Sequence, residues 1–320
     1  MDAFRQMQAF TAVVQAGSFV KAAQRLDTSK AVVSRLVLEL EAALGTRLLN
    51  RTTRRLSLTD AGSDYFERSR QILEDLKDAN AAVSEGASHI SGRLKLNAPL
   101  TFGNLHLAPL WGEFLKLHQQ VELDITLTDR VVDLVDEGYD MAVRISTQPS
   151  SSLVSRTLAH DRVVLCASPG YLRGAAPIAQ LDDIANHSVM AYSWWSGGDV
   201  WTFADAQGKA HSVTTHPRLR ANSGDTCRAA ALADQGIIYQ PAFLVGEDLR
   251  AGRLVQVLPA LRGPAIAIHA VYPSRKHLPG KVRAMVDFLA AAFQTPAWDT
   301  LATTISGAAP HGKRKTRSVQ

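Results

Sequence analysis

Residues 18–62 read SFVKAAQRLDTSKAVVSRLVLELEAALGTRLLNRTTRRLSLTDAG, and the turn chemistry and spacing within them decide how the rest of the chain is organised. Ser18 suits the N-cap of a short helix with one apolar stripe at Ala22, Ala23 and Leu26; Asp27-Thr28-Ser29 then supply a turn and a second cap. In the following helix Val33, Val37, Leu40 and Leu44 recur at three and four residues and face inward. That arrangement turns Lys30, Ala31, Ser34 and Arg35 outward on its first two turns. Gly45 suits a left-handed C-cap, and from Arg47 the pattern becomes a short hairpin with Arg51, Arg54 and Arg55 around Thr52-Thr53. Two helices joined by a tight turn and followed by such a hairpin make a winged helix-turn-helix, in which the second helix enters the major groove of double-stranded DNA. The base and phosphate readers are then Ser29, Lys30, Ala31, Ser34 and Arg35 on the helix and Arg51, Arg54 and Arg55 on the hairpin.

A helical subdomain whose basic residues merely solvate it would show the same stretch, and the distribution of charge argues against that. Residues 1–60 hold nine Lys or Arg against five Asp or Glu, and the tail from His311 adds four more cations; the other residues carry 22 against 25. Basicity confined to one end of a mildly acidic chain suits a polyanion there better than general solubility would require. At 320 residues, 46% hydrophobic and 20% charged, the chain is long enough for two or three domains with sizeable cores. No run approaches the eighteen or so apolar residues of a membrane span, and Asp2, Arg5, Gln6 and Gln8 interrupt any secretory core, so a cytoplasmic location is expected. Cys166 and Cys227 lie far apart in apolar contexts and read as buried, reduced thiols; a redox pair is the sharper alternative, against which the absence of CxxC spacing counts.

In chain order, Phe4, Met7, Phe10, Val13 and Val14 predict a first helix over 3–15 that closes the core beneath the two already described. Thr59 and Asp60 open a long helix over 61–84, in which Tyr65, Ile72, Leu76 and Val83 belong to an apolar seam of roughly coiled-coil period. The seam wants a partner helix or the chain's own body. Gly86, Ser88, Ser91 and Gly92 then mark a hinge. From Arg93 strands and helices alternate: strands over 94–98, 122–128 and 141–145 with helices over 103–117 and 131–137 between them. A second run of the same kind has strands over 163–168, 188–193, 218–222 and 236–240 and a helix over 225–234. A strand over 266–272 and a helix over 281–293 complete it. Past Pro296 the pattern is lost, and HGKRKTRSVQ reads as disordered.

The run AAQRLDTSKAVVSRLVLELEAALGTRLLNRTTRRLSLTDAG resembles the signature of LysR-type bacterial transcription regulators, and the continuation to about Leu289 resembles that family's effector-binding half. Lys30 departs from the family by standing where many members carry Gln, so a point charge with rotatable donors replaces a two-pronged contact to adenine. The resemblance implies a multidomain chain: a winged helix-turn-helix over 1–60, a linker and dimerisation helix with hinge over 61–90, and an α/β two-lobed, periplasmic-binding-protein-like effector domain over 91–296. Its first lobe would comprise about 91–162 and 266–296 and its second about 163–265, with a disordered basic tail over 297–320. Self-association as a homodimer or homotetramer through the seam is implied too, and RNA polymerase is a further partner that the resemblance admits.

In such a fold a small-molecule effector sits between the lobes, where strand ends and helix N-termini converge. The resemblance places contacts at three turns: Pro99, Leu100, Thr101 and Phe102; Ile145 and Ser146; and Ser223, Gly224 and Asp225. From the residues themselves the first and third offer N–H groups to an anion, which favours a carboxylate-bearing metabolite. Asp225 reads more readily as a plain N-cap than as a ligand contact, and would select a donor if it faced the cleft. The loop from Tyr192 to Gly198, with Trp194 and Trp195, either supplies aromatic ligand surface or packs under a lobe. An enzyme is disfavoured: GxSxG, GxxxxGK, GxGxxG and HExxH are all missing, and neither cofactor nor metal is expected. A small-molecule binding protein without DNA readout is the other rival, and a salt-dependent shift of labelled duplex separates it from a regulator.

Overall fold

A computed structural model describes residues 2–51, 56–83, 90–147, 153–273, 278–296 and 298. They fall into two units, residues 1–92 with 275–283 and residues 93–274 with 284–320. The first begins with α1 (Ala3–Ala16), α2 (Phe19–Arg25) and α3 (Lys30–Leu44). Their caps are the ones the sequence calls for: Ser18 Oγ accepts from Lys21 N–H, Ser29 Oγ accepts from Val32 N–H at 3.3 Å, and Gly17 and Gly45 close α1 and α3 at φ 61° and 67°. A two-stranded wing follows, β1 (Leu49–Arg51) antiparallel to β2 (Leu56–Leu58), and then α4 (Asp60–Val83). Glu41 ties α3 to the wing, one carboxylate oxygen accepting from the N–H groups of Leu48 (2.9 Å) and Leu49 (3.1 Å).

The core of this unit is Ala9, Phe10, Val13, Ala22, Val33, Val37, Leu40, Leu48 and Leu49 with their small neighbours. Three expected stripe residues lie outside it. Phe4, Leu26 and Leu44 are exposed, because each sits in the first or last turn of its helix, beyond the reach of the facing element. Tyr65, expected in the α4 seam, packs instead on Phe10 of its own head with ring centroids 5.7 Å apart. Ile72 and Leu76 remain exposed, and the side chain of Val83 lies outside the described residues.

The second unit carries β3 (Ser91–Ala98), α5 (Leu100–Phe102), a π turn (Gly103–Leu107), α6 (Ala108–Leu117), β4 (Gln120–Leu127), β5 (Met141–Ser146) and β6 (Val154–Ala167). It continues with α7 (Pro169–Gly174), a 3-10 turn (Leu181–Asn186), β7 (Val189–Tyr192), β8 (Val200–Ala204), β9 (Ala210–Thr214) and β10 (Pro217–Ala221). The last elements are α8 (Gly224–Leu232), β11 (Ile237–Pro241), α9 (Ala242–Arg250), β12 (Val255–Gln256), β13 (Ala265–Tyr272) and α10 (Gly280–Ala292). One path, β10-β7-β11-β6-β13-β5-β3-β4, runs through both lobes. β6 joins them: Val154 to Arg162 pairs with β13, and Val163 to Ala167 pairs with β11. β3 with β5, and β7 with β10 and β11, are parallel, as expected of β-α-β units. β6 and β13 run antiparallel to their neighbours, so two strands carry the chain between the lobes.

The helix expected over 131–137 is instead a turn capped by Asp133, whose carboxylate accepts from Val135 and Asp136 N–H at 2.9 and 3.0 Å. α7, α9 and the β8–β9 hairpin were not expected; Trp201 and Phe203 of that hairpin stack over Tyr239 in the second lobe's core. The tail was expected to be patternless from residue 297, yet Trp298 is buried and donates to the His160 carbonyl at 3.1 Å. The basic residues from Lys313 lie outside the described residues.

Gly62, at the start of α4, sits against the wing so closely that a Cβ there would meet the Leu48 carbonyl oxygen at 2.0 Å. Backbone cannot give way as a flexible side chain can, so Gly62→Ala should cost the first unit about 1–3 kcal/mol despite the better helix propensity of alanine. Urea unfolding followed by hydrogen exchange in residues 2–51 checks this. Unchanged protection would mean that the wing does not bear on α4.

Candidate nucleic-acid interface and effector cleft

α3 presents Lys30, Ala31 and Arg35 fully exposed and Ser34 half-exposed on one side, while Val33, Val37 and Leu40 anchor the other. Its first turn carries no acidic residue, so Lys30 stands at the positive end of the helix dipole where it is locally unfavourable. A helix N-terminus that carries a cation and no acid is favourable to an anion. Among the described residues Arg35 pairs with Glu39 at 3.6 Å, a solvated i,i+4 pair of about 0.3–0.5 kcal/mol. Ser29 already spends its hydroxyl on the cap, leaving its contribution to the main chain. Arg51 ends β1; its side chain, and Arg54 and Arg55, lie outside the described residues.

In the second unit the turn after β3 and the start of α8 face each other across the lobes. Pro99 holds an extended conformation at the mouth of α5, and the Leu100 N–H behind it donates to Asp129 Oδ1 at 2.8 Å. The Thr101 hydroxyl, 7% exposed, donates to the Asp225 carboxylate at 2.5 Å. Asp225 is therefore a cross-lobe acceptor. Asp129 reaches across as well, bonded to the Tyr192 hydroxyl, whose ionisation is pushed up by burial and by that carboxylate. The His106 ring meets the Phe243 carbonyl at 3.2 Å, and burial lowers its pKa. The N–H groups expected to await an anion are thus partly engaged already by the protein's own carboxylates.

Phe102 is fully buried in a cluster with His106, Phe243, Phe293 and Trp298, at ring separations of 5.1 to 5.7 Å, and so supports the turn from behind. Gly103 opens the π turn with a Cβ position 2.4 Å from Leu127 Cδ2, which leaves room for no side chain. Ser223 stands at the α8 N-cap without capping it, and Gly224 packs under Leu244 and Gln240. Ile145 leans on the second lobe's core and, with Ser146, lines a separate cavity beside Arg144. The aromatic loop divides between its two readings: Trp195 packs on Tyr239 at 5.5 Å, and Trp194 is 52% exposed. Asp129 was not anticipated, although its place just past the carboxyl end of β4 is the signal that could have found it. Cys166 and Cys227 are buried and reduced; burial raises both thiols, Cys227 to about 11, and suppresses thiolate chemistry.

Residues 4–63 match the model for the bacterial regulatory helix-turn-helix protein, lysR family, and residues 87–294 match that for the LysR substrate binding domain. The regulator PtxR of Pseudomonas aeruginosa is 36% identical over 283 residues, 88% of this chain and 90% of its own. The solved LysR-type regulator CrgA of Neisseria meningitidis is 30% identical with a TM-score of 0.57, covering 91% of this chain and 98% of that one. The full-length Vibrio cholerae virulence activator AphB is 26% identical with a TM-score of 0.56, covering 91% and 99%. With both domains matched in their proper order, the chain belongs to the LysR family of transcriptional regulators, a helix-turn-helix DNA-binding domain followed by an effector-binding domain.

Proposed function

We propose that this protein binds an operator as a homodimer or homotetramer, reads it with α3, and changes its hold on DNA when a small carboxylate-bearing metabolite enters the cleft. The observation that carries the effector reading is the Thr101–Asp225 hydrogen bond, which joins residues 124 positions apart across the lobes. A ligand carboxylate would take the Thr101 hydroxyl in place of Asp225, and a donor on the same ligand would satisfy the displaced Asp225. Any such exchange alters the relative stability of the lobe arrangements, which is the differential affinity an effector needs. The division of labour is 1–60 for DNA, 61–90 for self-association and 91–296 for the effector, in the cytoplasm with its DNA. RNA polymerase is the further partner where the bound state activates.

Ser34 and Arg35 read bases and the wing arginines hold phosphate. Arg35→Ala should therefore lose discrimination between target and scrambled duplex, costing about 1–3 kcal/mol on the target. Arg54→Ala should weaken both about equally and lower the salt slope by roughly one. A target-to-scrambled ratio unmoved by Arg35→Ala would remove α3 from the major groove, and a protein with no salt-dependent shift at all would be the binding protein without DNA readout.

Ile72 and Leu76 leave an exposed apolar ridge on α4, and we assign it to self-association. Replacing both with Glu sets like charges against each other in the joined helices. Sedimentation should then give monomers, with loss of the tight binding that needs two half-sites about one turn apart. An intact dimer in the double variant places the interface elsewhere.

Thr101→Val removes the hydroxyl while nearly keeping volume. Folding and basal DNA affinity should persist, and the effector's influence on the footprint should vanish; a variant responding at the same effector concentration would take this turn out of the site.

A further inference from the structure

A cavity of about 590 Å³ lies between the Val131–Asp136 turn and the face of the sheet formed by β5 and β13, a size within the range of small-ligand pockets. Neither Thr101 nor the Ser223–Asp225 turn lines it. Its floor is polar. Arg144 and His269 are opposite each other in the β5–β13 register and point from the same side of the sheet. Arg144 is half-buried, donates to the Val132 carbonyl at 2.8 Å, and among the described residues has no carboxylate at ion-pair distance. Burial lowers its pKa, the mark of a cation that has lost water without gaining a full partner. His269 is 4% exposed; one ring nitrogen meets the Thr157 hydroxyl at 3.3 Å, and Nε2, enclosed, has no hydrogen-bond partner among the described residues.

The walls are apolar: Val132, Leu134 and Val271 are buried, Leu153 packs against them, and Val131 and Val135 at the mouth are 78% and 67% exposed. Two exposed valines at the rim of a cavity invite an apolar occupant, since among the described residues nothing covers them. The turn that carries them is stiff. Asp133 caps it, Arg130 pairs with Glu137 at 2.7 Å, and Lys95 donates to the Glu137 carbonyl at 2.8 Å, so the cavity exists before any ligand arrives. The two carboxylates on the lining, Asp133 and Asp136, belong to the turn, and Asp133 is occupied by its N–H groups. They disfavour an anion at the rim and leave the floor as the place for one.

We propose that this cavity is a second ligand site, taking a small carboxylate with a compact apolar body, the carboxylate seated on Arg144 and the His269 Nε2–H and the body between the valines. In the tautomer this requires, the Thr157 hydroxyl donates to His269 Nδ1 and the ring proton sits on Nε2. A half-buried guanidinium with no carboxylate at ion-pair distance among the described residues and an unsatisfied imidazole nitrogen are each costly, and one carboxylate would satisfy both. Ile145 and Ser146 lie on the lining too, so occupancy here bears on the end of β5 that the cleft also uses.

The test uses 4-iodobenzoate and its neutral counterpart 4-iodobenzamide with the full-length protein. Calorimetry should give binding of the carboxylate at least tenfold tighter than the amide, and anomalous scattering from soaked crystals should place iodine between Val131 and Val135. Arg144→Met should weaken the carboxylate at least tenfold and leave the amide alone; if that variant fails to fold, Arg144→Lys, which keeps charge but loses the fork, should show an intermediate loss. The proposal is overturned by equal affinities for acid and amide, by no binding of either, or by iodine found only elsewhere.

Discussion

Two carboxylates, Asp129 and Asp225, hold the effector half in the arrangement seen here, because each accepts a hydrogen bond from the opposite side of the cleft or from the turn beside it. Hydrogen bonds to a charged acceptor contribute about 1.5–3 kcal/mol each, and leaving a buried donor such as the Thr101 hydroxyl unmatched costs a similar amount. The lobes therefore cannot part unless water or a ligand takes over both roles. On the proposed reading, a cleft whose donors are engaged by its own acids takes up a small polar molecule by exchange, which would tie occupancy to lobe arrangement. The aromatic cluster behind Thr101 makes that exchange local, since Phe102, Phe243 and Trp298 fix the turn's backbone while its front is rewritten.

The DNA-binding unit is built for the opposite behaviour. Glu41 bonded to the wing, Gly62 pressed on Leu48, and Tyr65 and Phe66 packed on Phe10 make α4 a continuation of the head.

The head was almost wholly legible in the sequence, because its signals are local: Ser18 and Ser29 as caps, Gly45 at a left-handed C-cap, and Val33, Val37 and Leu40 on one stripe. The errors there come from helix ends, as with Leu26 and Leu44, or from partner choice, as with Tyr65, whose spacing says that it is buried but not against what. In the second unit strand positions were readable, yet residues 131–137 looked helical when Asp133 had already diverted the N–H groups of a helix into a turn. The Thr101–Asp225 contact was not legible as a contact, although both residues stood out, because no local pattern encodes a hydrogen bond across 124 residues. The cavity at Arg144 and His269 arises from antiparallel pairing of β5 with β13, a register fixed only in the fold.

The claim that Asp129 and Asp225 set the lobe arrangement is open to one direct measurement. Spin labels at Lys116→Cys on α6 and Ala229→Cys on α8, both exposed positions, report the separation of the lobes, and the two native cysteines are buried from the reagent. With labelled chain diluted in unlabelled protein, electron–electron double resonance should give one narrow distance, and replacing Asp129 and Asp225 together by Ala should broaden it and move it to longer values. An unchanged distribution in that double variant would contradict the account, and the lobes would then be held by packing alone.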